Sequence, residues 1–408
     1  MNVLIIGYVW PEPNSSAAGS RMMQLIHTLK GAQASIHFAS PAQTTDHMAD
    51  LCALDVSTSA ITLNCDSFNS FIEDLSPDIV IFDRFMMEEQ FGWRVEKYAP
   101  EALRILNTED LHSLRDARHT ALKKNRPFAI EDMHSDLGVR EIAAIHRSDL
   151  TLMISEFERD LLLTHFHVPD THVMHLPFML PSAYTPFTPF EKRHGFIFIG
   201  NFRHAPNWDA VLQLKQTYWP IIRSKLPNTT LNIYGAYPPP KATQLHNERE
   251  GFLVKGWAEN ALEVIADSRI MLSPLRFGAG IKGKLVEAMQ VGTPSITTTV
   301  GAEAMHGNLP WNGVITDDIK EFCNAAVSLY NDHEAYQLMQ KNGEQIIQLH
   351  YQQSQWASKF LQRLKVQQQL KQTLRNNHFL GKLMRHHSMK STQYMSQWIT
   401  LKNQKNSS

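Results

Sequence analysis

Short apolar runs of strand length alternate along the chain with stretches whose apolar residues recur at helical spacing. Residues 3–6 form the first run, a loop rich in Pro, Ser and Gly follows, and residues 21–30 then place Met, Leu and Ile at helical spacing. Further runs of the same kind are residues 36–39, 79–82, 103–106 and 150–154. Buried strands separated by helices are typical of a parallel sheet that is covered on both faces.

A proline-rich stretch interrupts this alternation near the middle of the chain. Four prolines occur between residues 177 and 190, which favours an extended connection over a helix because proline lacks an amide donor. At 408 residues the chain is also longer than one core usually supports. A second series of strand-like runs then follows at residues 196–200, 230–235, 251–256, 270–275 and 295–300. We therefore predict an α/β protein built from two doubly wound, Rossmann-like halves.

The loops after the predicted strands are where a ligand is expected. Open parallel sheets bind their ligands beyond the carboxyl ends of the strands, so the loops of the two halves should face each other. The loops concerned follow residues 7, 106, 200, 235 and 275. They predict a binding cleft that both halves share.

The loop of residues 277–289, FGAGIKGKLVEAM, carries the strongest chemical signal. From Gly278 to Lys284 it matches the G-x-x-x-x-G-K frame of a nucleotide triphosphatase, but Leu285 stands where that motif needs a Ser or Thr hydroxyl on Mg²⁺. The loop joins a predicted strand to a predicted helix, so its backbone amides can point at an anion. It is interpreted as a phosphate-binding turn that does not hydrolyse ATP.

Glu287 adds a second feature to this turn. It lies three residues after Lys284, in the first turns of the predicted helix, where its carboxylate can accept hydrogen bonds from sugar hydroxyls. Phosphate together with ribose is the pattern of a nucleoside diphosphate. On the residues alone an alternative stays open, in which the glycines make a tight turn and Glu287 is an acid favoured by the helix dipole.

A longer segment around this loop resembles a known family. Residues 276–305, RFGAGIKGKLVEAMQVGTPSITTTVGAEAM, resemble the donor-binding segment of the GT-B glycosyltransferases of the group 1, or family 4, type. The resemblance continues in residues 199–211, 231–239 and, more weakly, 6–26, and covers roughly the first 365 residues. It implies a GT-B architecture with an acceptor domain over residues 1–185 and a nucleotide-sugar donor domain over residues 186–345. It also implies that a helix over residues 340–365, of which residues 346–365 lie beyond the donor domain, crosses back to the first domain.

The same resemblance implies which residues hold the donor. Glu287 matches the second Glu of the family's E-x7-E motif, which contacts the donor ribose, whereas Ala279 replaces the first Glu. The family's second basic residue, expected shortly after Arg203, is missing from the segment HAPNWD. For each charged residue alone, a solvated surface charge is the alternative. The predicted donor-binding residues are Gly19, Arg203, Gly280, Lys282, Lys284 and Glu287.

Gly19 opens the first helix after the loop PEPNSSAA. The resemblance implies that this loop and helix start approach the donor diphosphate and the acceptor. A glycine there allows a close backbone approach, although simple flexibility is an alternative explanation.

Three candidate catalytic residues follow a predicted strand in the first half. The segment NTEDLHSLR places Glu109, Asp110 and His112 at a strand's carboxyl end, and resembling proteins often keep a His in this loop. An acid paired with His112 could orient an acceptor hydroxyl or share its proton. Two alternatives stay open: the acids are ordinary helix caps, and His112 only satisfies a neighbouring backbone group.

Composition narrows the class of protein. With 43% hydrophobic and 19% charged residues, the chain has an ordinary globular composition, and no membrane span is needed to explain it. The three cysteines form no C-x-x-C pair, which favours a reducing cytoplasm and supports neither disulfides nor a zinc site. The 20 histidines are too scattered to form a spaced ligand set, so no metal and no further cofactor are expected.

Charge separates the last 43 residues from the rest. Residues 366–408 carry seven Lys or Arg and no acid, whereas the other residues carry 32 basic and 40 acidic groups. This basic tail mixes its cations with Leu, Met, Trp and Tyr, a combination suited to an anionic membrane surface or a lipid-linked acceptor. A disordered, solvated extension is the alternative.

These features together favour a glycosyltransferase that moves a hexose-like sugar from a nucleotide sugar to an acceptor hydroxyl. The acceptor would be a glycan, a lipid-linked sugar or a small molecule, and no feature indicates a nucleic-acid partner. A retaining, metal-independent course is what the resemblance implies. Two other classes stay open, a sugar-nucleotide epimerase of the same fold and a catalytically silent nucleotide-sugar binder.

Overall fold

The computed structural model describes residues 1–181 and 186–406, so the boundary predicted at residue 185 lies outside the described residues. In the first half a seven-stranded parallel sheet has the strand order 3-2-1-4-5-6-7. Its central strands are wholly buried, which explains their continuous apolar sequences. The strands are β1 (Asn2–Ile6), β2 (Ser35–Ser40), β3 (Ser57–Ala60), β4 (Ile79–Asp83), β5 (Leu103–Asn107), β6 (Leu150–Met153) and β7 (Val173–His175).

Helices cover both faces of this sheet. Apolar residues on the two faces form two separate cores, one around Phe82 and Phe91 and the other around Leu25 and Phe38. The helices are α1 (Ala17–Gly31), α2 (Ser67–Leu75), α3 (Phe85–Tyr98), α4 (His112–Lys123), α5 (Asp136–Arg147) and α6 (Glu156–Thr164).

The second half repeats the design with a six-stranded parallel sheet. Its strand order, 10-9-8-11-12-13, reverses next to β8 just as the first sheet reverses next to β1. Both orders are those of doubly wound folds, whose ligands bind at the reversal point. The strands are β8 (Phe196–Ile199), β9 (Leu231–Tyr234), β10 (Phe252–Gly256), β11 (Ile270–Ser273), β12 (Ser295–Thr297) and β13 (Gly313–Ile315).

The helices of the second half are mostly short. A π-helical turn, Leu214–Tyr218, joins the first two of them. The helices are α7 (Ala205–Gln213), α8 (Trp219–Lys225), α9 (Pro240–Thr243), α10 (Ala261–Asp267), α11 (Gly283–Gln290), α12 (Thr299–Ala302), α13 (Ile319–Asn331) and α14 (His333–His350).

The two halves are joined by more than the proline-rich segment. The helix predicted over residues 340–365 is divided in two, because α14 ends at His350 and α15 (Gln353–Asn377) begins afresh. At this break Leu180 donates its amide to Tyr351 O at 2.7 Å and accepts the amide of Gln353 at 2.8 Å. Phe360 and Leu364 of α15 then enter a core of the first sheet.

Apart from His378, the basic tail is helical over its described length, which differs from the disordered, solvated extension that the sequence left open. A last helix, α16 (Phe379–Asn406), packs against α3 and α5 of the first half. The physical reason is charge pairing, because cations of the tail meet acids of the first half. Arg375 binds Asp149 at 2.6 Å, and Lys371 binds Glu101 at 3.0 Å.

Candidate functional site

A cavity of about 390 Å³ lies between the two halves. All five loops that were predicted to face a shared cleft line it, as do residues of the turn 277–284. Two helices, α1 and α11, begin at its wall, and a Cβ on Gly283 would stand only 2.5 Å from that of Ala17. The positive ends of both helix dipoles therefore face this cleft from opposite domains.

Seven of the nine predicted site residues line the cavity: Glu109, Asp110, His112, Arg203, Lys282, Lys284 and Glu287. Gly19 does not line the cavity. It packs against the backbone of Glu12, whose carbonyl oxygen would lie 2.3 Å from a Cβ on Gly19. Gly280 lies just behind the lining, where a Cβ would be 2.9 Å from that of Asp110. Gly280 thus allows the two domains to approach each other.

Lys284 is held in place by groups of its own domain. Its Nζ donates to Asn207 Oδ1 at 2.5 Å and lies 4.2 Å above the Phe198 ring. A Cβ on Gly200 would stand 2.8 Å from this Nζ, so the glycine makes room for the ammonium. Burial lowers the pKa of Lys284 to about 7, while Glu287 acts in the opposite direction. An incoming anion would therefore favour protonation of Lys284.

Glu287 faces the cavity from the next turn of α11. Burial raises the pKa of its carboxyl group, and the nearby Lys284 opposes the rise. Within the described part of the chain, its carboxylate has no hydrogen-bond partner. The carboxylate is half-buried and faces the cavity, so it can accept hydrogen bonds from a ligand bound there.

Lys282 and Arg203 lie differently from Lys284. Lys282 is buried and donates to the carbonyl oxygen of Gly280 at 2.7 Å, so it closes its own loop. Burial lowers the pKa of Lys282 to about 8, and the charges of Glu303 and Glu158 act in the opposite direction. Arg203 is exposed on a wall of the cleft, with its guanidinium 3.6 Å above the Tyr237 ring.

On the opposite wall, Asp110 is ion-paired with Arg115. Its Oδ1 also lies 3.5 Å from His112 Nε2. Burial raises the pKa of Asp110, but the charges of Arg115 and His112 outweigh it and bring the pKa well below the usual range. Burial lowers the pKa of His112 to about 4. At neutral pH this wall therefore presents an ionised Asp110 beside a neutral His112.

Glu109 has a different protonation state from its neighbour. Burial and the charge of Asp83 raise the pKa of Glu109 to about 8, so the carboxyl group is protonated at neutral pH. It adopts a left-handed backbone conformation, with φ at 64°, and accepts a hydrogen bond from Asn107 Nδ2 at 2.6 Å. Directly behind it lies the fully buried Arg21, one of whose terminal nitrogens, Nη2, has no hydrogen-bond partner. Neither Glu109 nor Asp110 caps α4, because the first amides of this helix donate elsewhere.

The cap of α4 comes instead from an acid that the sequence did not suggest. Glu141 on α5 accepts the amides of His112 and Ser113, each at 2.9 Å, and the Ser113 hydroxyl at 2.6 Å. His112 therefore owes its position to a residue 29 positions later in the chain.

Two interdomain contacts were also missed, and both hold the loop of Gly278 and Gly280. Glu158 accepts the amide of Gly280 at 2.8 Å, although it lies on α6 of the first half. Arg118 donates to the carbonyl oxygen of Gly278 at 2.8 Å and forms a two-pronged ion pair with Glu303. The turn is thus fixed partly by the opposite domain.

Further residues on the cavity wall went unnoticed for lack of a sequence signal. His204, at the start of α7, is an exposed histidine that lines the cavity. The buried Ser15 lines the cavity with a hydroxyl that has no hydrogen-bond partner. Among the described residues there is no group of three or more His, Cys, Asp or Glu side chains that could hold a metal ion.

Part of the second half of the chain matches a known protein family. Residues 193–332, which include most of the donor side of the cavity, match the family model described as "Glycosyl transferases group 1". A search of curated protein sequences gave no match.

Solved glycosyltransferase structures resemble most of the chain. A glycosyltransferase from Rickettsia africae superposes with a TM-score of 0.64 at 12% identity, over 88% of this chain and 97% of that one. HepE of Anabaena, in complex with UDP and glucose, gives 0.65 at 11% identity over 89% and 99%. A mutant of S. aureus TarM in complex with UDP gives 0.58 at 14% identity and covers 72% of this chain, which spans only 57% of TarM. At these identities the likeness concerns the fold, and the predicted GT-B architecture is confirmed.

Proposed function

We propose that the protein is a glycosyltransferase that transfers a sugar from a nucleoside diphosphate sugar to an acceptor hydroxyl. One observation carries the proposal: the Glu287 carboxylate faces the interdomain cavity without a hydrogen-bond partner, one helical turn from the Lys284 ammonium. A carboxylate beside a cation at the start of a helix matches a ribose linked to a diphosphate. The match to a glycosyltransferase family model over residues 193–332 supports the same donor side.

The diphosphate would lie between Lys284 and the first amides of α1 and α11. Lys284 would take up a proton as the anion enters, because its pKa of about 7 leaves it partly neutral in the free protein. UDP in the HepE and TarM structures supports a nucleoside diphosphate as the leaving group.

During transfer, the bond between the anomeric carbon and the diphosphate oxygen breaks, and a bond to the acceptor oxygen forms. Charge develops on the departing diphosphate, where Lys284 and two helix N-termini would stabilise it. A retaining course, in which the acceptor proton passes to the departing oxygen on the same face of the sugar, is part of the proposal. These residues would do this work without a metal.

On the acceptor side, Glu109 and Asp110 would have separate roles. The protonated Glu109 can donate a hydrogen bond to the Asp83 carboxylate, whereas the ionised Asp110 can only accept hydrogen bonds, such as one from an acceptor hydroxyl. Neutral His112 beside Asp110 would orient the acceptor hydroxyl. With a pKa of about 4 it is too weak a base to keep a proton at neutral pH.

A panel of UDP-, GDP-, ADP- and dTDP-sugars tests the proposal on the purified protein. We expect at least one to raise the melting temperature, because a ligand that binds only the folded state stabilises it. Release of the nucleoside diphosphate from that donor, with acceptor supplied, would then report transfer. Interconversion of the free nucleotide sugar would indicate an epimerase instead, and binding without release would indicate a silent binder.

Glu287→Gln should weaken binding of the stabilising nucleotide sugar by about 10- to 100-fold, since hydrogen bonds to a charged group are worth about 1.5–3 kcal/mol each. Isothermal titration calorimetry would measure the dissociation constant. Glu248→Gln serves as the matched control, because Glu248 is an exposed acid of the same domain and lies outside the cavity lining. Equal affinities for the two variants would remove Glu287 from the donor site.

A further inference from the structure

The last helix, α16, turns its apolar side chains away from the protein. Phe379 and Trp398 expose 73% and 58% of their surface, and the other large apolar residues of the helix follow the same pattern. At 100° per residue, these side chains fall within about 160° of the helix circumference. We call this set the apolar stripe: Phe379, Leu383, Tyr394, Met395, Trp398 and Leu401.

The face of α16 that contacts the protein is polar. Ser396 and Thr400 are buried there, where Ser396 accepts a hydrogen bond from Arg94 at 3.1 Å and Thr400 donates one to Asn64 O at 2.5 Å. Gly381 lies against the carbonyl oxygen of His146, which a Cβ would approach to 2.4 Å. The helix is therefore inverted relative to an ordinary surface helix, whose apolar side faces the core.

An inverted helix needs an explanation, because exposed apolar surface is unfavourable in water. On α3 the helix is held by the Ser396 hydrogen bond and by an ion pair of Arg385 with Glu96 at 3.5 Å, and on α5 Arg385 donates to Arg147 O at 3.2 Å, so the apolar stripe is not needed to hold the helix in place. Large apolar side chains exposed along one side of a helix mark a site of contact with another apolar surface.

The charges around the stripe identify that surface. Residues 366–408 contain seven Lys or Arg and no acid. Lys390 and Lys402 are exposed on the same side of the helix as the stripe, and Lys402 Nζ lies 5.3 Å above the Trp398 ring. A second copy of the chain would bring two basic helices together and be repelled, whereas an anionic lipid surface would attract both.

We propose that α16 is a membrane-surface helix that lies flat on an anionic bilayer. The apolar stripe would enter the boundary between headgroups and acyl chains, with Tyr394 and Trp398 at the depth such aromatic rings favour. No helix in the described part of the chain is long and apolar enough to cross a bilayer, so the contact proposed here is peripheral. The inference does not depend on the proposed transferase activity.

Flotation of the full-length protein with vesicles tests the proposal. One set of vesicles contains phosphatidylcholine alone, and the other contains equal parts of phosphatidylcholine and phosphatidylglycerol. We expect the protein to float with the anionic vesicles, and the bound fraction to fall as salt is raised. Failure to float with anionic vesicles at low salt would overturn the proposal.

Variants of the stripe separate membrane binding from folding. Trp398→Ser combined with Leu401→Ser should reduce the apparent partition coefficient at least tenfold, with an unchanged melting temperature because both side chains point to solvent. The matched control is Leu338→Ser combined with Leu349→Ser, which removes two equally exposed leucines from α14. The proposal fails if both double variants float equally well, or if the stripe variant instead dissociates a dimer seen by analytical ultracentrifugation.

Discussion

Lys284→Ala is expected to lower the rate of sugar transfer by about 100- to 1000-fold, the range found when one preorganised group that stabilises transition-state charge is removed. Lys284 is placed to meet that charge, since its ammonium lies against Asn207 and Phe198 at the start of α11. Nucleoside diphosphate release from the active donor would measure the rate. Lys320→Ala, at an exposed lysine on α13 of the same domain, is the control and should retain full activity.

The same lysine predicts a pH dependence with a definite sign. Below pH 7 Lys284 is already protonated, so affinity for the nucleotide sugar should be nearly constant. As pH rises above 7, the free protein must take up a proton on binding, and affinity should fall by up to about tenfold per pH unit. Lys282, with a pKa of about 8, adds to the fall at higher pH. In Lys284→Arg the fall should begin later, because arginine stays charged. An unchanged profile would refute the assignment.

Glu88→Ala is expected to destabilise the protein by about 3–5 kcal/mol, because it leaves Arg147 buried without its counter-ion. The two side chains are only 4% and 5% exposed, and Arg147 Nε donates to Glu88 Oε1 at 2.9 Å. They join α3 to α5, the two helices on which α16 packs. Urea unfolding followed by circular dichroism would give the free energy of unfolding.

The neighbouring residue supplies the control for this experiment. Glu89 also pairs with an arginine of α5, but Arg140 is 53% exposed, so the pair is well solvated. Glu89→Ala should therefore cost less than about 1 kcal/mol. Should Glu88→Ala be too unstable to purify, Glu88→Gln keeps the shape and should still lose several times more stability than Glu89→Ala. Similar losses at both positions would contradict the burial argument.

The fold could be predicted from the sequence wherever strands are buried on both faces. Such strands, β1 and β4 for example, are almost purely apolar and are visible as runs. The strands that were missed lie at sheet edges: β3 reads STSA and is largely exposed, and β7 and β13 have only three residues each. Nothing in their local sequence distinguishes them from loops, since their neighbours in the sheet decide their conformation.

Some residues of the candidate site could likewise be predicted from the sequence, and others could not. Lys284 and Glu287 could be proposed because a strand, a glycine turn and a helix occur together in one short segment. Glu141, Glu158 and Arg118 could not, because each acts on a segment that lies far away in the chain. The protonation states could not be predicted from the sequence either. Glu109 and Asp110 are adjacent acids, but their surroundings in the fold raise the pKa of Glu109 and lower that of Asp110.

The two domains cannot be separated or exchanged without changing the donor turn. Glu158 and Arg118 of the first half bind Gly280 and Gly278 of that turn. A donor domain excised at residue 186 would keep every residue of the turn but lose the amide and carbonyl partners that shape it. In a chimera that joins this donor domain to a relative's acceptor domain, the foreign half would have to supply an acid and an arginine at matching positions. The two domains must therefore match each other at Glu158 and Arg118, residues that shape the donor turn from the opposite domain.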